Sequence, residues 1–342
     1  MSDTKPHIYV AAGLILRPDG SLLLGQRPAG KPWEGWWELP GGKIEPGETV
    51  LQALARELQE ELNIQVTQAT PWVEYTHEYP KNIVHLMFCR VTGWEGTPES
   101  AENQALAWVH PDQPLPVSPL LPATEPPLRW LRLPTRYLLS SIENAEGLPA
   151  FLERLDAALA DGVRLVQFRE PAWQLRYTQG RSEHDASVSP RQKIFDSYGD
   201  LRHAFEQVLQ RCRDHGAKCL VNSIHPESWW TEADGVHLRA DDARYLLRQG
   251  SPRPVGMVGV STHDADEIAL ARRLDADFAV LGHVLDTPSH PQRAGMGWQA
   301  FAECLRGAGL PVFALGGQSS ETMNEAMTHG AHGIAGIRKL HS

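Results

Sequence analysis

Hydrophobic and polar positions follow one pattern in the first third of the chain and another in the rest. Between residue 8 and about residue 130, short strands are predicted at 8–12 and 21–24, and one strongly amphipathic helix at 49–62. Prolines crowd the next stretch, 111–127, through which we expect no regular element to run, because proline lacks the amide hydrogen that helices and sheets use. This stretch separates two regions.

From residue 136 onward, short apolar segments alternate with amphipathic ones. The predicted strands are 136–140, 163–168, 218–222, 235–238, 257–261, 278–282, 312–316 and 333–337, with helices such as 148–160, 201–215 and 266–274 between them. Eight β-α units in about 205 residues have the length of a TIM barrel, although a doubly wound sheet would give a similar string. Residues 171–199 lack a clear period and are predicted to be an inserted loop.

Composition supports this division and excludes some classes of function. A chain of 342 residues is too long for one ordinary core, and we expect domains at 1–131 and 132–342. No apolar run approaches the roughly 20 residues of a membrane span, and the first residues do not resemble a signal peptide. The net charge of −10 disfavours binding of a nucleic acid polymer but not of a small nucleotide held through a metal. The scattered cysteines, which fit a reducing cytoplasm, are Cys89, Cys212, Cys219 and Cys304.

The helix at 49–62 carries the first candidate chemistry. Glu57, Glu60 and Glu61 share an arc of roughly 100° on the helix surface, where three carboxylates repel one another by a few kcal/mol at an effective dielectric near 20. A hard divalent cation such as Mg²⁺ relieves that repulsion, and Arg56 can hold one of the carboxylates in place. The apolar side of the helix is predicted to be Leu51, Leu54, Ala55, Leu58 and Leu62.

A solvated acidic helix face is the alternative reading of three nearby glutamates. The surrounding pattern decides against it: Gly42, Glu48, Arg56-Glu57-Leu58, Glu60-Glu61 and Asn63-Ile64 stand at fixed spacing. This pattern resembles the Nudix box and is most similar to its MutT-type branch. Asn63 stands where the box ordinarily has glycine, and asparagine tolerates the left-handed conformation that a helix end requires.

The resemblance implies a fold, a metal site and a reaction. The fold would be a Nudix α/β/α sandwich. The metal ligands would be the Gly41 carbonyl, Glu57, Glu60, Glu61 and, from a later loop, Glu102, holding Mg²⁺ with Mn²⁺ as a substitute. Metal-bound water would attack the β-phosphorus of a nucleoside triphosphate and release pyrophosphate. Glu57, Glu61 and Arg56 would be the catalytic residues, with either Glu57 or Glu61 as general base.

The same resemblance implies substrate contacts and a substrate. Arg27 stands where MutT-like enzymes contact the nucleotide, and the backbone of Glu38, Leu39, Pro40 and Gly41 would approach nucleotide and metal. Thr124 stands where an asparagine reads the edge of oxidised guanine; it offers one hydroxyl in place of an amide, or has no role. The implied function is nucleotide-pool sanitation, in which 8-oxo-dGTP is hydrolysed to 8-oxo-dGMP and pyrophosphate.

The second region resembles thiamine phosphate synthase and its TenI-like relatives, through segments such as 167–170, 233–238, 259–263 and 315–317. The resemblance favours a (β/α)8 TIM barrel over the doubly wound sheet. It implies a phosphate or ligand site at the carboxyl ends of the strands. The candidate residues are Gln167, Arg169, Asn222, Asp242, Ser261, Thr287, Ser289, Gly317 and Gly336. His237 and His263 lie beside strands and are expected to be hydrogen-bonded structural residues.

Three positions depart from the synthase pattern. Pro171 and His290 stand where cations would hold a pyrophosphate, and Ser223 replaces one of two metal-binding carboxylates, leaving Asp242. We therefore expect a barrel that binds a small phosphate ester without synthase turnover, or one that is only a folded core. Three other hypotheses stay open: hydrolysis of thiamine-related pyrophosphates by the Nudix region, a bifunctional protein with synthase activity, and a barrel that acts as a non-catalytic sensor.

Overall fold

The computed structural model describes residues 5–101, 103–173, 190–287, 292–337 and 340. Contacts divide the chain into two compact units. Unit 1 contains residues 1–133 together with 302–311 and 325–332; unit 2 contains the remainder. The break near residue 133 lies close to the predicted boundary at 131, which itself stays a prediction because two later segments group with unit 1.

Two sheets form the centre of unit 1. The first has the order β4-β1-β6-β5 and the second β3-β2-β7. The strands are β1 His7–Ile15, β2 Leu22–Gln26, β3 Trp37–Glu38, β4 Gly41–Lys43, β5 Gln65–Glu78, β6 Ile83–Glu95 and β7 Leu106–Val109. The long β1 is parallel to β6 and antiparallel to β4, so it places the glycines of β4 at the edge of the sheet.

Helices cover both faces of the first sheet, and the alternation along β1 explains how. Successive side chains of a strand point to opposite faces. Ala11 and Ile15 pack with Leu54 and other residues of helix α1, Val50–Leu62. The intervening residues of β1 pack in the core that contains Leu128 and Trp130, from helix α2, Glu125–Trp130. The predicted α/β/α sandwich is confirmed.

Both ends of helix α1 are fixed by local interactions. Thr49 caps the first turn through the amide of Gln52, whose side chain bonds back to the amide of Thr49. At the other end Asn63 adopts a left-handed conformation, φ 55°, as expected for the residue that replaces glycine there. Leu51 was predicted to be buried and is 41% exposed. Its angular position matches that of Leu58, so the exposure arises from its place in the first turn, at the end of the helix.

The proline-rich stretch is more regular than predicted. A 3₁₀ turn at Pro122–Thr124 leads directly into α2, which contains Pro126 and Pro127. Proline is tolerated in the first helical turn because the amide hydrogens there have no partner inside the helix. The expectation that no element would enter residues 111–127 was therefore wrong at its carboxyl end.

Unit 2 contains a closed barrel of eight parallel strands in the order β10-β11-β12-β13-β14-β15-β8-β9. The strands are β8 Arg136–Leu139, β9 Leu165–Phe168, β10 Lys218–Asn222, β11 Gly235–Leu238, β12 Met257–Thr262, β13 Phe278–Gly282, β14 Val312–Leu315 and β15 Gly333–Gly336. All eight predicted strands are present, and the sheet closes through β15 and β8. The TIM barrel is confirmed, and the doubly wound alternative is excluded.

The helices of the barrel follow the predicted rhythm. Those described are α3 Leu148–Ala160, α4 Pro190–Asp214, α5 Glu227–Trp230, α6 Ala240–Gln249, α7 Ala265–Arg273, α8 Gly297–Cys304 and α9 Met323–Thr328. The helix α4 begins at Pro190, so the final part of the predicted insert 171–199 is helical. Residues 174–189 of that insert lie outside the described residues.

Two further expectations concern the whole chain. All four cysteines are free thiols. Within the part of the chain that the structure describes, no helix combines the length and apolar character needed to cross a bilayer.

Candidate active site

The glycine pair Gly41–Gly42 of β4 lies against the acidic face of α1. The Gly41 amide donates a hydrogen bond to Glu61 Oε2 at 3.0 Å. A Cβ on Gly42 would lie 2.2 Å from the Glu57 carboxyl carbon, so that carboxyl group packs directly on the glycine backbone. A Cβ on Gly41, whose φ is +139°, would lie 2.2 Å from the carbonyl oxygen of Ala11. Glycine is thus required at position 41, and at position 42 its lack of a side chain leaves room for the Glu57 carboxyl group beside the residue that binds Glu61.

Arg56 organises the carboxylates beside this glycine pair. Its Nε and Nη2 donate to the two oxygens of Glu48 at 2.8 and 3.0 Å, and its Nη1 donates to Glu57 Oε1 at 2.8 Å. Nη2 also donates to the Lys43 carbonyl, which ties the guanidinium to the end of β4. Hydrogen bonds from Arg56 lower the pKa of Glu48 to about 2. Arg56 therefore holds Glu57 through one oxygen only.

The predicted metal ligands divide into two groups. Glu57 and Glu61 meet at Gly41–Gly42, and their carboxylate oxygens are the hard donors that Mg²⁺ prefers. Glu60 is more exposed, at 61% of its side chain, and lies 3.5 Å from the same Arg56 nitrogen that binds Glu57. Glu102 lies outside the described residues. Among the described residues, no group of three or more histidine, cysteine, aspartate or glutamate side chains is arranged to hold a metal, so the full ligand set stays a prediction.

Arg27, which directly follows β2, forms an ion pair with Glu38 of the neighbouring strand β3. Arg27 Nη1 lies 2.6 Å from both oxygens of Glu38, and its Nε donates to the Pro32 carbonyl at 2.7 Å. Burial raises the pKa of Glu38, and the attraction of Arg27 opposes that rise. Beyond Glu38, Leu39 is buried and Pro40 accepts a hydrogen bond from the Gly13 amide. The predicted substrate segment is thus a rigid connection between Arg27 and the glycine pair.

Thr124, the predicted base-reading position, is only 4% exposed. It ends the 3₁₀ turn before α2, and its amide donates to the Leu121 carbonyl. Sequence reasoning missed Tyr79, whose pKa is raised by burial and lowered by the backbone of Ala123. Tyr79 lies in the connection between β5 and β6, about forty residues from Ala123 along the chain, and only the folded structure brings them together.

In unit 2, polar side chains of five consecutive strands form one hydrogen-bonded row. Asn222 donates to Gln167 at 3.1 Å, and Gln167 donates to the Tyr137 hydroxyl at 2.9 Å. Tyr137 then contacts His237 Nδ1 at 3.1 Å, and His237 Nε2 contacts Ser261 at 2.9 Å. Burial lowers the pKa of His237 to about 3, so the ring is neutral. Three predicted ligand residues, Gln167, Asn222 and Ser261, therefore belong to an internal network, and His237 has the structural role expected.

A second buried group in unit 2 was not predicted. Glu170, 2% exposed, accepts hydrogen bonds from the Ser140 hydroxyl and from the amides of Ile142 and Glu143. Burial nevertheless raises its pKa, and burial lowers the pKa of the adjacent Arg169. The Glu170 amide donates to His225, whose pKa burial lowers to about 3. These contacts lock the carboxyl end of β9 to that of β8.

Asp242, the predicted second metal carboxylate, is fully engaged. The Ser223 hydroxyl donates to its Oδ2, while Arg239 donates through Nε to Oδ2 at 2.7 Å and through Nη2 to Oδ1 at 2.9 Å. The residue that replaces the lost carboxylate, Ser223, thus pairs with the one that remains. An ion pair with Arg239 therefore stands at the position of the predicted metal carboxylate.

The remaining barrel candidates are only partly described. Gly317, with φ +67°, packs so closely on the loop after β13 that a Cβ would lie 2.6 Å from the Leu285 Cβ. Gly336 is buried at the end of β15, and Thr287 lies at the end of a described stretch. Ser289 and His290 lie outside the described residues. The exposed His263 pairs with Glu267, which also bonds its amide, in agreement with the expected structural role.

Comparison with known proteins places both units. The model of the NUDIX domain matches residues 6–131, and that of thiamine monophosphate synthase matches residues 137–340. A CTP pyrophosphohydrolase of Escherichia coli is 44% identical over 35% of this chain and 87% of that protein. An 8-oxo-dGTP diphosphatase of Proteus vulgaris is 43% identical over 27% of this chain and 81% of that protein.

The barrel also has relatives of known activity. A thiamine-phosphate synthase of Parasynechococcus marenigrum is 31% identical over 55% of this chain, and the match spans 48% of that protein, about half its length. The barrel match covers more than half of the chain, and the Nudix matches cover most of their relatives. The chain therefore joins two families: it carries an N-terminal NUDIX enzyme domain and belongs, through its C-terminal barrel, to the thiamine monophosphate synthase family.

Proposed function

We propose that the Nudix unit is a Mg²⁺-dependent pyrophosphohydrolase of oxidised purine nucleoside triphosphates, with 8-oxo-dGTP as its substrate. The observation that carries the proposal is the meeting of Glu57 and Glu61 at Gly41–Gly42. The similarity to 8-oxo-dGTP diphosphatases supports the choice of substrate. Bound Mg²⁺, which Mn²⁺ can replace, would neutralise the phosphates and lower the pKa of attacking water.

The protein's own residues have distinct roles in this proposal. Arg56 keeps Glu57 oriented through one oxygen, which leaves the other side of the carboxylate available to a cation or a water. The Gly41 amide orients Glu61, so either carboxylate can take the proton of the attacking water. Arg27 supplies positive charge for the triphosphate, and its ion pair with Glu38 fixes where that charge lies.

A second substrate is favoured by a specific observation. The CTP pyrophosphohydrolase match extends over 119 residues, against 91 for the Proteus diphosphatase. Thr124 is buried and offers a single hydroxyl, whereas an amide would present a donor and an acceptor to the edge of an oxidised purine. CTP is therefore the alternative substrate of the same site.

For the barrel we propose binding of a small phosphate ester without synthase turnover. The ion pair of Asp242 with Arg239 supports this, since synthase chemistry on a pyrophosphate calls for a carboxylate that is open to Mg²⁺. Production of thiamine phosphate from its two precursors by the full chain would refute the proposal. Calorimetry with thiamine phosphate tests for binding, and a barrel that binds no ester would be a folded core alone.

The experiment for the hydrolase compares pyrophosphate release from 8-oxo-dGTP, dGTP, CTP and thiamine pyrophosphate, each with Mg²⁺ and with a chelator. Glu57→Gln serves as the inactive control. A preference for 8-oxo-dGTP over dGTP of tenfold or more in kcat/KM, about 1.4 kcal/mol, supports the proposal. Preference for CTP selects the alternative, and turnover of thiamine pyrophosphate alone would reject both nucleotide substrates.

A further inference from the structure

A buried arginine lies in strand β6 of unit 1. Arg90 is 6% exposed, and burial lowers its pKa to about 9, so the guanidinium is still charged at neutral pH. Only desolvation shifts this pKa, so no carboxylate among the described residues offsets the charge. A buried charge is tolerated only where other groups replace the lost water, and the partners of Arg90 must therefore do so.

The partners of Arg90 come from the far end of the sequence, in the segment 325–332 that groups with unit 1. Arg90 Nη1 donates to the Ala331 carbonyl at 3.3 Å, and Nη2 donates to the His332 carbonyl at 3.0 Å. These acceptors stand 241 and 242 residues away along the chain. The guanidinium also lies over the Trp72 ring, with Cζ 4.6 Å from the centroid, so two carbonyls and an aromatic face surround the charge.

The His332 side chain completes this cluster in one neutral tautomer. Its Nδ1 lies 3.0 Å from Arg90 Nη2 and 3.3 Å from Trp72 Nε1. Because arginine and tryptophan nitrogens only donate, Nδ1 must accept, and the ring hydrogen is on Nε2, which donates to the Leu133 carbonyl at 3.0 Å. His332 thus connects strand β5, strand β6 and the end of the first segment of unit 1.

Arg90 is also close to the candidate active site through the backbone. In the parallel pairing of β1 with β6, Arg90 is opposite Leu14. Two residues earlier in β1, a distance of about 7 Å, Ala12 is opposite Gly41 of β4. A shift of β6 at Arg90 is therefore carried by β1 to Gly41, whose amide holds the Glu61 carboxylate.

We propose that Arg90 is a positioning residue of the Nudix site, and that Ala331 and His332, from the carboxyl-terminal part of the chain, hold it in place. The proposal rests on the proposed hydrolysis, because Arg90 acts on that reaction through Gly41 and Glu61. It makes the segment 325–332 a working part of the hydrolase. A chain that ended at residue 131 would lack both carbonyls and the His332 ring.

The test measures kcat, KM and the Mg²⁺ concentration that gives the half-maximal rate, for the full chain on the better nucleotide substrate. His332→Leu removes the Nδ1 acceptor and should lower kcat and raise that Mg²⁺ concentration, each about tenfold, because residues that orient metal ligands contribute roughly 10- to 100-fold. The KM for the nucleotide at saturating Mg²⁺ should change by less than about twofold. His332→Asn, which keeps an acceptor close to Nδ1, should restore most of the loss.

Thermal unfolding separates positioning from a loss of folding. His332→Leu leaves the Arg90 charge with fewer acceptors and should lower the unfolding midpoint of unit 1 by about 6 °C, so kinetics are measured well below that midpoint. Arg90→Met removes the charge itself and should reproduce the kinetic losses. The matched control is Arg17→Met, which removes an exposed arginine that lies over a tryptophan ring, 3.6 Å from the Trp108 centroid, and should change neither kinetics nor Mg²⁺ dependence.

Unchanged kcat and Mg²⁺ dependence in His332→Leu and Arg90→Met, at a temperature where both are folded, would overturn the positioning role and leave the hydrolase proposal intact. Equal losses in Arg17→Met would overturn it as well. If the unmodified chain turns over no nucleotide, the hydrolase proposal fails, and equilibrium dialysis with Mn²⁺ decides the positioning role by itself. Affinity about tenfold weaker in His332→Leu than in the unmodified chain supports that role, whereas equal affinity or no Mn²⁺ binding refutes it.

Discussion

The acidic groups of the two units meet arginine in different ways. In unit 1, Arg56 binds Glu48 with two donors but touches Glu57 through a single oxygen. In unit 2, Arg239 and Ser223 together occupy both oxygens of Asp242. Arg56 orients Glu57 through one oxygen and leaves the other for a cation, whereas both oxygens of Asp242 already accept hydrogen bonds. The difference lies in the number of donors, not in the residue types.

The strongest test of this comparison replaces one carboxylate in each unit. Glu57→Gln should reduce kcat/KM for nucleotide hydrolysis by about 10³-fold, because it removes charge where a cation or an attacking water would be held. Asp242→Asn should leave hydrolysis unchanged. Steady-state kinetics of both variants, with circular dichroism to verify folding, provides the measurement. A comparable loss in Asp242→Asn would abolish the distinction.

The second test changes the surface on which Glu57 rests. Gly42→Ala would place a methyl group within 2.2 Å of the Glu57 carboxyl carbon, so that carboxylate must move. A displacement of about 1 Å in an active site can cost on the order of 10²-fold in rate, and we expect a loss of that size. Gly25→Ala is the matched control, since its Cβ would meet nothing closer than 3.7 Å. Full activity in Gly42→Ala would show that the contact between the Glu57 carboxylate and Gly42 does not matter for the reaction.

The third test uses the buried histidines of the barrel. Because burial lowers the pKa of His237 and His225 to about 3, the unfolded state binds more protons between pH 6.5 and pH 3. The free energy of unfolding of unit 2 should therefore be unaffected by these histidines above pH 6.5. As the pH falls below 6.5 it should decrease by up to about 1.4 kcal/mol per pH unit for each histidine. Glu170, whose pKa burial raises, acts in the opposite sense.

Urea unfolding at pH 7, 6 and 5 measures this slope. His237→Asn should make the slope shallower, whereas His215→Asn, a change in an exposed histidine at the end of α4, should not. Identical slopes in all three proteins would contradict the assignment of a neutral His237.

The smallest expected effect concerns Arg239 itself. Its side chain is 54% exposed, and exposed ion pairs contribute less than about 1 kcal/mol. Arg239→Gln should therefore lower the free energy of unfolding by no more than that and leave hydrolysis intact. Calorimetric titration with Mg²⁺ sharpens the comparison: weak binding gained in this variant would show that the ion pair alone keeps Asp242 from a cation.

The sequence predicted most of the fold because each strand is marked by a short apolar segment of its own. Strands such as Lys218–Asn222, Gly235–Leu238 and Phe278–Gly282 were predicted with the observed bounds. Errors arose where context overrides composition: α2 begins among prolines, and α4 begins at Pro190 inside a polar stretch. Polar composition alone does not distinguish a long exposed helix from a loop.

The candidate site was predictable to the extent that one helix contains it. Glu57 and Glu61 lie on one arc of α1, and their convergence on Gly41–Gly42 follows from the motif. Glu170 was missed because its partner, Ser140, is 30 residues away along the chain, and Tyr79 because it lies on the connection between β5 and β6, outside the motif. The pairing of Asp242 with Arg239 was missed for another reason. An arginine three residues away in sequence does not show whether its guanidinium donates hydrogen bonds to that carboxylate.

The row of polar side chains across the barrel has a direction. Asn222 donates to Gln167 and Gln167 to Tyr137, so the tyrosine hydrogen is directed to His237, whose remaining N–H faces Ser261. Every member is polarised by the one before it, and reversing any single bond would require all of them to reverse. The row thus behaves as one cooperative element that joins five strands. These residues therefore have a structural role that requires no ligand, because their hydrogen bonds connect five strands inside the barrel.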